Sequence, residues 1–140
     1  MTAAVNERAV RALYDAWNRR DLDAWVGAFT PEATWHNIPT GETFTGRDGM
    51  AQNYRNWDVP FPDGQCTEIE VLAGDDFAVG RFTASGRNLG PIRGPAGEIS
   101  PTGRNLTVPF CDVHLLRDGL ITSTVRYWDQ ASVLRDLGLG

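Results

Sequence analysis

The sequence predicts an α+β fold in which helices come first and pack on one face of a curved antiparallel sheet. Three observations predict it. Apolar residues recur every three or four positions as far as residue 57 and again at the C-terminus. They alternate with period two from residue 65 to residue 128. Turns rich in Gly, Pro and Asp separate the alternating stretches. At 140 residues, 41% of them hydrophobic, the chain reads as one domain, 1–140, able to bury a core without staples.

Residues 6–20 carry Val10, Leu13 and Trp17 on one helical stripe. Asp21 is the expected N-cap of a second helix with Leu22, Trp25 and Phe29 on one face. Thr30-Pro31 is expected to stop it, because the residue before a proline is pushed out of the α region. A short strand is expected over 33–38, followed by a turn-rich stretch ending near Gly46. A third helix over 47–57 sets Met50, Tyr54 and Trp57 at i, i+4 and i+7, all facing inward, and Pro60, Pro62 and Gly64 end it. Four strands are expected at 65–73, 76–87, 104–116 and 119–128, with hairpin turns at Asp75-Asp76 and Arg117-Asp118-Gly119. Residues 88–103 are Gly/Pro-rich and read as loop, and 131–137 read as a last short helix capped by Asp129. Helices closing one side of a curved sheet leave a cone, whose open end is a natural ligand pocket.

Composition narrows the function classes. The net charge is −5 and no Lys/Arg block exists, which argues against nucleic acid and anionic membrane as partners. The N-terminal residues read as an amphipathic helix rather than a signal peptide, and no stretch approaches the ~20 apolar residues of a membrane span, so a cytoplasmic protein is expected. Cys66 and Cys111 make neither a disulfide framework nor a metal pattern. The two His lie far apart, and no phosphate-binding loop opens a helix, so no metal and no cofactor is expected. Five Trp are many for this length and suit the walls of a pocket.

The opening helix pair followed by PEATWHNIP, the run GRFTASGRNLGP, the turn Asp118-Gly119-Leu120-Ile121 and the ending RYWDQASVLRDLGL resemble the SnoaL-like polyketide cyclases of the nuclear transport factor 2-like superfamily. The resemblance covers nearly the whole chain. It implies a cone-shaped α+β barrel, a homodimer formed through the sheet, a role in antibiotic-type polyketide biosynthesis, and an apolar cavity for a small apolar or aromatic carbonyl compound. The activity it implies is metal-free, cofactor-free acid/base chemistry, an aldol cyclisation or an allied step.

Leu106, Val108, Phe110, Asp112, His114 and Leu116 alternate onto one face of the 104–116 strand. The apolar start marks that face as buried. A carboxylate and an imidazole side by side there suit general acid/base work, or equally a satisfied buried ion pair. By resemblance, His114 matches a cavity His of the cyclases, and Asp112 stands where they carry an amide. Arg126 stands where they carry the catalytic Asp, three positions before the helix-starting Asp129. Apolarity alone puts Ile121, Val125 and Tyr127 on the inner face and turns Arg126 outward. The resemblance turns Arg126 inward, where its guanidinium would clamp Asp112 and stabilise an oxyanion.

The missing Asp keeps two other readings open: a polyketide-pathway hydroxylase-type relative, and a non-catalytic small-ligand-binding dimerisation module. Asp129 is a second candidate acid, with capping the weightier role. Trp35, Asn37, Tyr54, Trp57, Phe110 and Trp128 are the candidate substrate-binding wall, able to stack on a flat ring, although core packing is the commoner role of such residues. His36 reads as peripheral, Arg81 as an ion-pair or dimer residue, and Asn88 with the 88–103 loop as a shaper of the pocket mouth.

Overall fold

The computed structural model describes residues 2–94 and 96–140; Met1 and Pro95, the latter in the stretch read as loop, lie outside the described residues. The chain opens with α1 (Ala3–Asn18), capped by Thr2, whose hydroxyl accepts from the Val5 amide. Its buried face is Asn6, Val10, Leu13 and Tyr14, the spacing of one helical stripe. Then come α2 (Leu22–Gly27), capped by Asp21, and β1 (Phe29–Asn37). Phe29 therefore belongs to β1, not to the second helix, and Thr30-Pro31 run through the strand rather than ending a helix. Pro31 is tolerated because the pairing of β1 with its neighbour is irregular between Phe29 and Thr34, so its missing N–H costs no ladder bond there.

The turn-rich stretch hides a short strand, β2 (Thr43–Thr45), paired antiparallel to β1. It leads into α3 (Gly46–Asp58), which buries Met50 and Tyr54 as its spacing predicts. The long strands are β3 (Gln65–Ala73) and β4 (Phe77–Arg87). The 88–103 stretch is not all loop: β5 (Ile92–Gly94) and β6 (Gly97–Ile99) form a small hairpin. Next are β7 (Asn105–Arg117) and β8 (Leu120–Trp128), joined by Asp118 and Gly119 at φ 54° and 77°, the positive angles a tight twisted hairpin demands. The last helix, α4 (Gln130–Leu137), starts on Asp129 and stops at Gly138.

The six-stranded sheet has the order β2-β1-β8-β7-β4-β3. Two expectations are corrected here. The sheet is mixed rather than antiparallel, because β1 lies parallel to β8, a pairing that needs a long crossover and here spans most of the chain. Nor does the sheet close into a barrel: β2 and β3 are its edges. Helix α1 packs over β3 and β4, α3 packs over β1 and β2, and α2 touches both helices. The core fills the space between helices and sheet.

One irregularity decides which way β8 faces. Leu115 pairs with Ser123, but Leu116 pairs with Ile121, so β8 carries a bulge at Thr122. Ile121 faces inward before the bulge; Thr124 and Arg126 face inward after it. Apolar alternation along β8 therefore assigns the wrong face to its second half. Val125 and Tyr127 are on the outer face, and Arg126 is buried.

Candidate functional site

Cross-strand register assembles the site in two rungs. Gly80, Asp112, Arg126 and Asn37 lie side by side across β4, β7, β8 and β1. The next rung is Ala78, His114, Thr124 and Trp35. The inner faces of the strands turn these residues under the helices, and Tyr14 of α1 reaches down onto both rungs. It can do so because Gly80 has no side chain: a Cβ there would lie 2.1 Å from the Tyr14 hydroxyl.

The polar groups form one connected chain. Arg126 Nε donates to Asp112 Oδ1 at 2.7 Å and Arg126 Nη2 to Asp112 Oδ2 at 2.9 Å, a two-pronged pair. The Tyr14 hydroxyl donates to Asp112 Oδ2 at 2.9 Å. A carboxylate only accepts, so the single phenol proton goes to it. His114 Nε2, 3.0 Å from the Tyr14 oxygen, is then the donor, and His114 Nδ1 accepts from Thr124 Oγ1 at 2.7 Å. Asp112 and His114 are fully buried, 4.0 Å apart at their nearest atoms, and joined through Tyr14 rather than to each other.

Burial pushes His114 down to about 4, and the nearby Arg126 charge pushes the same way against Asp112, so the imidazole is neutral at physiological pH. Burial, reinforced by the Asp112 charge, holds Tyr14 well above the usual phenol range, so it stays protonated. Burial by itself would lower Arg126, but the charge and hydrogen bonds of Asp112 outweigh it, and the guanidinium stays cationic. Its Cζ lies 4.6, 5.2 and 5.5 Å from the ring centres of Trp35, Phe110 and Phe82, so aromatic faces enclose it.

Burying a neutral His114 makes stability depend on pH. Between about pH 6.5 and pH 4 the unfolded chain binds a proton that the folded chain refuses. The resulting stability, about 3 kcal/mol, is fully present above 6.5 and is lost as the pH falls through 4. His114→Gln removes this dependence. Urea unfolding at pH 7 and pH 4.5 is expected to show the wild-type advantage over the variant shrinking at the lower pH; an unchanged difference contradicts the assignment.

Beside the network lies a narrow cavity of about 50 Å³ that opens to solvent at one end. Its walls include Trp17, Trp25, Tyr54, Trp57, Phe82 and Phe110, and Arg126 is the charged residue in the lining. Of the predicted residues, Tyr54, Trp57, Phe110 and Arg126 line it. Trp35, Asn37, Asp112 and His114 do not: they form the layer behind, where Trp35 Nε1 donates to Asn37 Oδ1 at 2.8 Å. Trp128 stands outside the lining but backs it, stacked on Phe110 and edge-on to Trp57 with ring centres 5.2 Å away in each case, and with Asp129 it borders a second groove that also takes in Arg81 and Tyr127.

Asp129 stands apart from the network and caps α4, accepting from the Ala131 amide and the Ser132 hydroxyl. Hydrogen bonding from Ser132 holds its carboxyl below the usual range. Arg81 pairs with Glu70 on the outer face, and His36 bonds to the Glu42 carbonyl near the sheet edge. Asn88 is buried and bonds to Pro60, Gly90 and Thr102 rather than lining the cavity. Cys66 lines the cavity, and burial pushes its thiol up to about 12, so it reacts slowly while the wall stays closed.

Tyr14 and Thr124 were not singled out by sequence. Tyr14 does carry a signal, since it shares the Val10–Leu13–Trp17 stripe, and Thr124 alternates with Arg126. Among the described residues no cluster of three or more His, Cys, Asp or Glu is placed to hold a metal ion. No described helix is long and apolar enough to cross a membrane.

An open curved sheet roofed by helices over an aromatic cavity is the ketosteroid isomerase-like, or nuclear transport factor 2-like, fold. Within it, this chain belongs to the SnoaL-like domain family, whose model matches residues 10–124. Solved structures agree in fold. TsrD from Streptomyces laurentii is 28% identical, with a TM-score of 0.83 over 100% of this chain and 99% of that one. A candidate SnoaL-like polyketide cyclase from Jannaschia sp. CCS1 is 21% identical, with a TM-score of 0.87 over 99% and 95%. A protein of ketosteroid isomerase-like fold from Catenulispora acidiphila, crystallised with trimethylamine, is 23% identical, with a TM-score of 0.78 over 94% and 93%. No curated protein matches the sequence.

Proposed function

We propose that the chain is a SnoaL-like enzyme that holds a small, largely apolar polyketide-like carbonyl compound in the aromatic cavity and acts on it by acid/base chemistry, an aldol cyclisation or an allied step, without metal or cofactor. One observation carries this reading: Arg126 is the charged group in an otherwise uncharged, largely aromatic lining that also includes Tyr14, and it is braced from behind by Asp112. A carbonyl oxygen placed on the guanidinium is polarised, and the enolate it becomes is stabilised in apolar surroundings. As the C–H bond breaks, its electron pair moves onto that oxygen. The proton passes to the Tyr14 oxygen while Tyr14 passes its own to Asp112, 2.9 Å away. His114 and Thr124 orient Tyr14, and Tyr54, Trp57 and Phe110 hold the flat part of the ligand.

The outer sheet face, where Leu72, Leu115 and Tyr127 are exposed, supports the further proposal of a homodimer formed through the sheet, acting in the cytoplasm on a biosynthetic intermediate. A second reading, binding without turnover, is favoured by the complete burial of Asp112 and His114 behind the lining.

Native mass spectrometry against a panel of aromatic polyketide-type carbonyl compounds, followed by turnover of whatever binds, tests both. The expected result is a dimer binding one ligand per subunit, with full turnover under argon. Asp112→Asn and Tyr14→Phe are expected to keep binding and lose turnover by about a hundredfold or more. Undiminished turnover in both variants rejects the acid/base assignment. Binding with no turnover leaves the binding module, and turnover only with O₂ and a reductant leaves the hydroxylase-type reading.

A further inference from the structure

Arg20 lies just beyond α1 with its backbone at φ 58°, a conformation that suits Gly and strains an Arg. Such strain persists where the surroundings demand it. The left-handed residue closes α1 as a Schellman cap, with the Arg20 amide donating to the Trp17 carbonyl and the Asp21 amide to the Ala16 carbonyl, both at 2.9 Å, and from that position the Arg20 side chain reaches the turn after α3. Its Nε donates to Asp58 at the end of α3 at 2.8 Å, and its Nη1 to the Trp17 carbonyl at 2.9 Å. Its Nη2 donates to the Phe61 and Pro62 carbonyls, both at 3.0 Å, and its Cζ lies 4.1 Å from the centre of the Trp17 ring. Trp17, Phe61 and Gly64 all line the cavity, and they do so beside the exposed Gln65, where the lining reaches solvent.

The far side of the turn 59–64 is tied to the end of β4 and to Asn88 and Leu89 just beyond it: Pro60 accepts from Asn88 and Leu89, and Asp63 accepts from the Arg87 amide. Arg20 makes the direct side-chain bonds from the end of α1 to Phe61 and Pro62; Gln65 adds a bridge, its Nε2 donating to the Gly64 and Asn18 carbonyls, and Asn18 pins the Cys66 backbone through two further bonds. We propose that Arg20 is the latch of the cavity, a positioning residue that holds the Phe61–Gly64 wall against α1 and whose release opens the way to the Arg126 end. The proposal rests on the function proposed for this chain only in treating this cavity as the binding pocket.

Cys66 reports on the same wall without any ligand. It lines the cavity at 8% exposure, so its labelling by a neutral disulfide waits on opening. In a Cys111→Ser background, Arg20→Gly removes the latch and also relieves the backbone strain. Arg20→Lys keeps the charge but loses the planar fork. The expected result is Cys66 labelling about tenfold faster in Arg20→Gly, intermediate in Arg20→Lys, and independent of urea at low concentration, as local opening requires.

Labelling at the parent rate in both variants, or faster only in proportion to the global unfolding constant, overturns the latch. Protection of Cys66 by 1-aminoanthracene, a neutral flat probe, separates the two ideas. No protection with faster labelling in the variants rejects the binding pocket and leaves the latch. Protection with unchanged labelling rejects the latch and leaves the pocket.

Discussion

Arg126→Met lowers the unfolding free energy by about 3–5 kcal/mol, a large share of the ~5–15 kcal/mol that holds a domain of this size together. The methionine fills much of the aromatic slot between Trp35, Phe82 and Phe110, so lost packing is not the main cause. The cause is Asp112, which is fully buried and loses both guanidinium hydrogen bonds. A buried carboxylate left with the Tyr14 hydroxyl alone carries an uncompensated charge. The double variant Arg126→Met/Asp112→Leu removes that charge and is expected to recover most of the loss, because a buried ion pair adds little net stability over an apolar pair of similar volume. Urea denaturation of the two variants decides it. If the double variant is as unstable as the single one, the pair is holding the fold by packing rather than by charge. Ligand binding is expected to stay lost in both, since neither has a cation at the cavity wall.

Gly80→Ala is the second large effect. The new methyl would sit 2.1 Å from the Tyr14 hydroxyl and 2.6 and 2.7 Å from two ring carbons, closer than any stable contact. The phenol must swing away or α1 must lift from β4, at about 1–3 kcal/mol of overpacking. Displacing the hydroxyl also strips a partner from Asp112 and from His114, for about 1–3 kcal/mol more. Tyr14→Phe in the Gly80→Ala background removes the nearest clashing atom and is expected to restore part of the thermal stability while turnover stays absent. A Gly80→Ala protein with wild-type melting temperature and turnover would mean that Tyr14 is not held where the two rungs need it.

Periodicity made most of the elements legible. The stripe of Val10, Leu13 and Trp17, the i, i+4, i+7 set of Met50, Tyr54 and Trp57, and the alternation through β3, β4 and β7 are local properties, set by the 3.6- and 2-residue repeats of helix and strand. The inward face of β7, with Asp112 and His114 on it, was legible for the same reason. Failures cluster where a local pattern is broken. Pro31 looks like a helix stop but sits in an irregular part of β1, and the bulge at Thr122 reverses the face of the residues beyond it. The facing of Arg126 was available only from the family resemblance, since apolarity along β8 pointed the other way.

The sequence by itself determined the α+β order of elements, the aromatic supply for a cavity, and the presence of a carboxylate, an imidazole and a guanidinium on adjacent strands. It also determined the family. Tertiary structure decided how those groups meet. Tyr14 lies 98 positions from the Asp112 it bonds to, and Gly80 must leave the space through which it reaches. β1 comes to rest parallel beside β8, which sets Trp35 and Asn37 behind Arg126 rather than in the lining. The physical reason is one of range. Backbone repeats fix which face a side chain takes within its own element, whereas register, bulges and helix docking fix what that face meets, and those depend on contacts between distant parts of the chain.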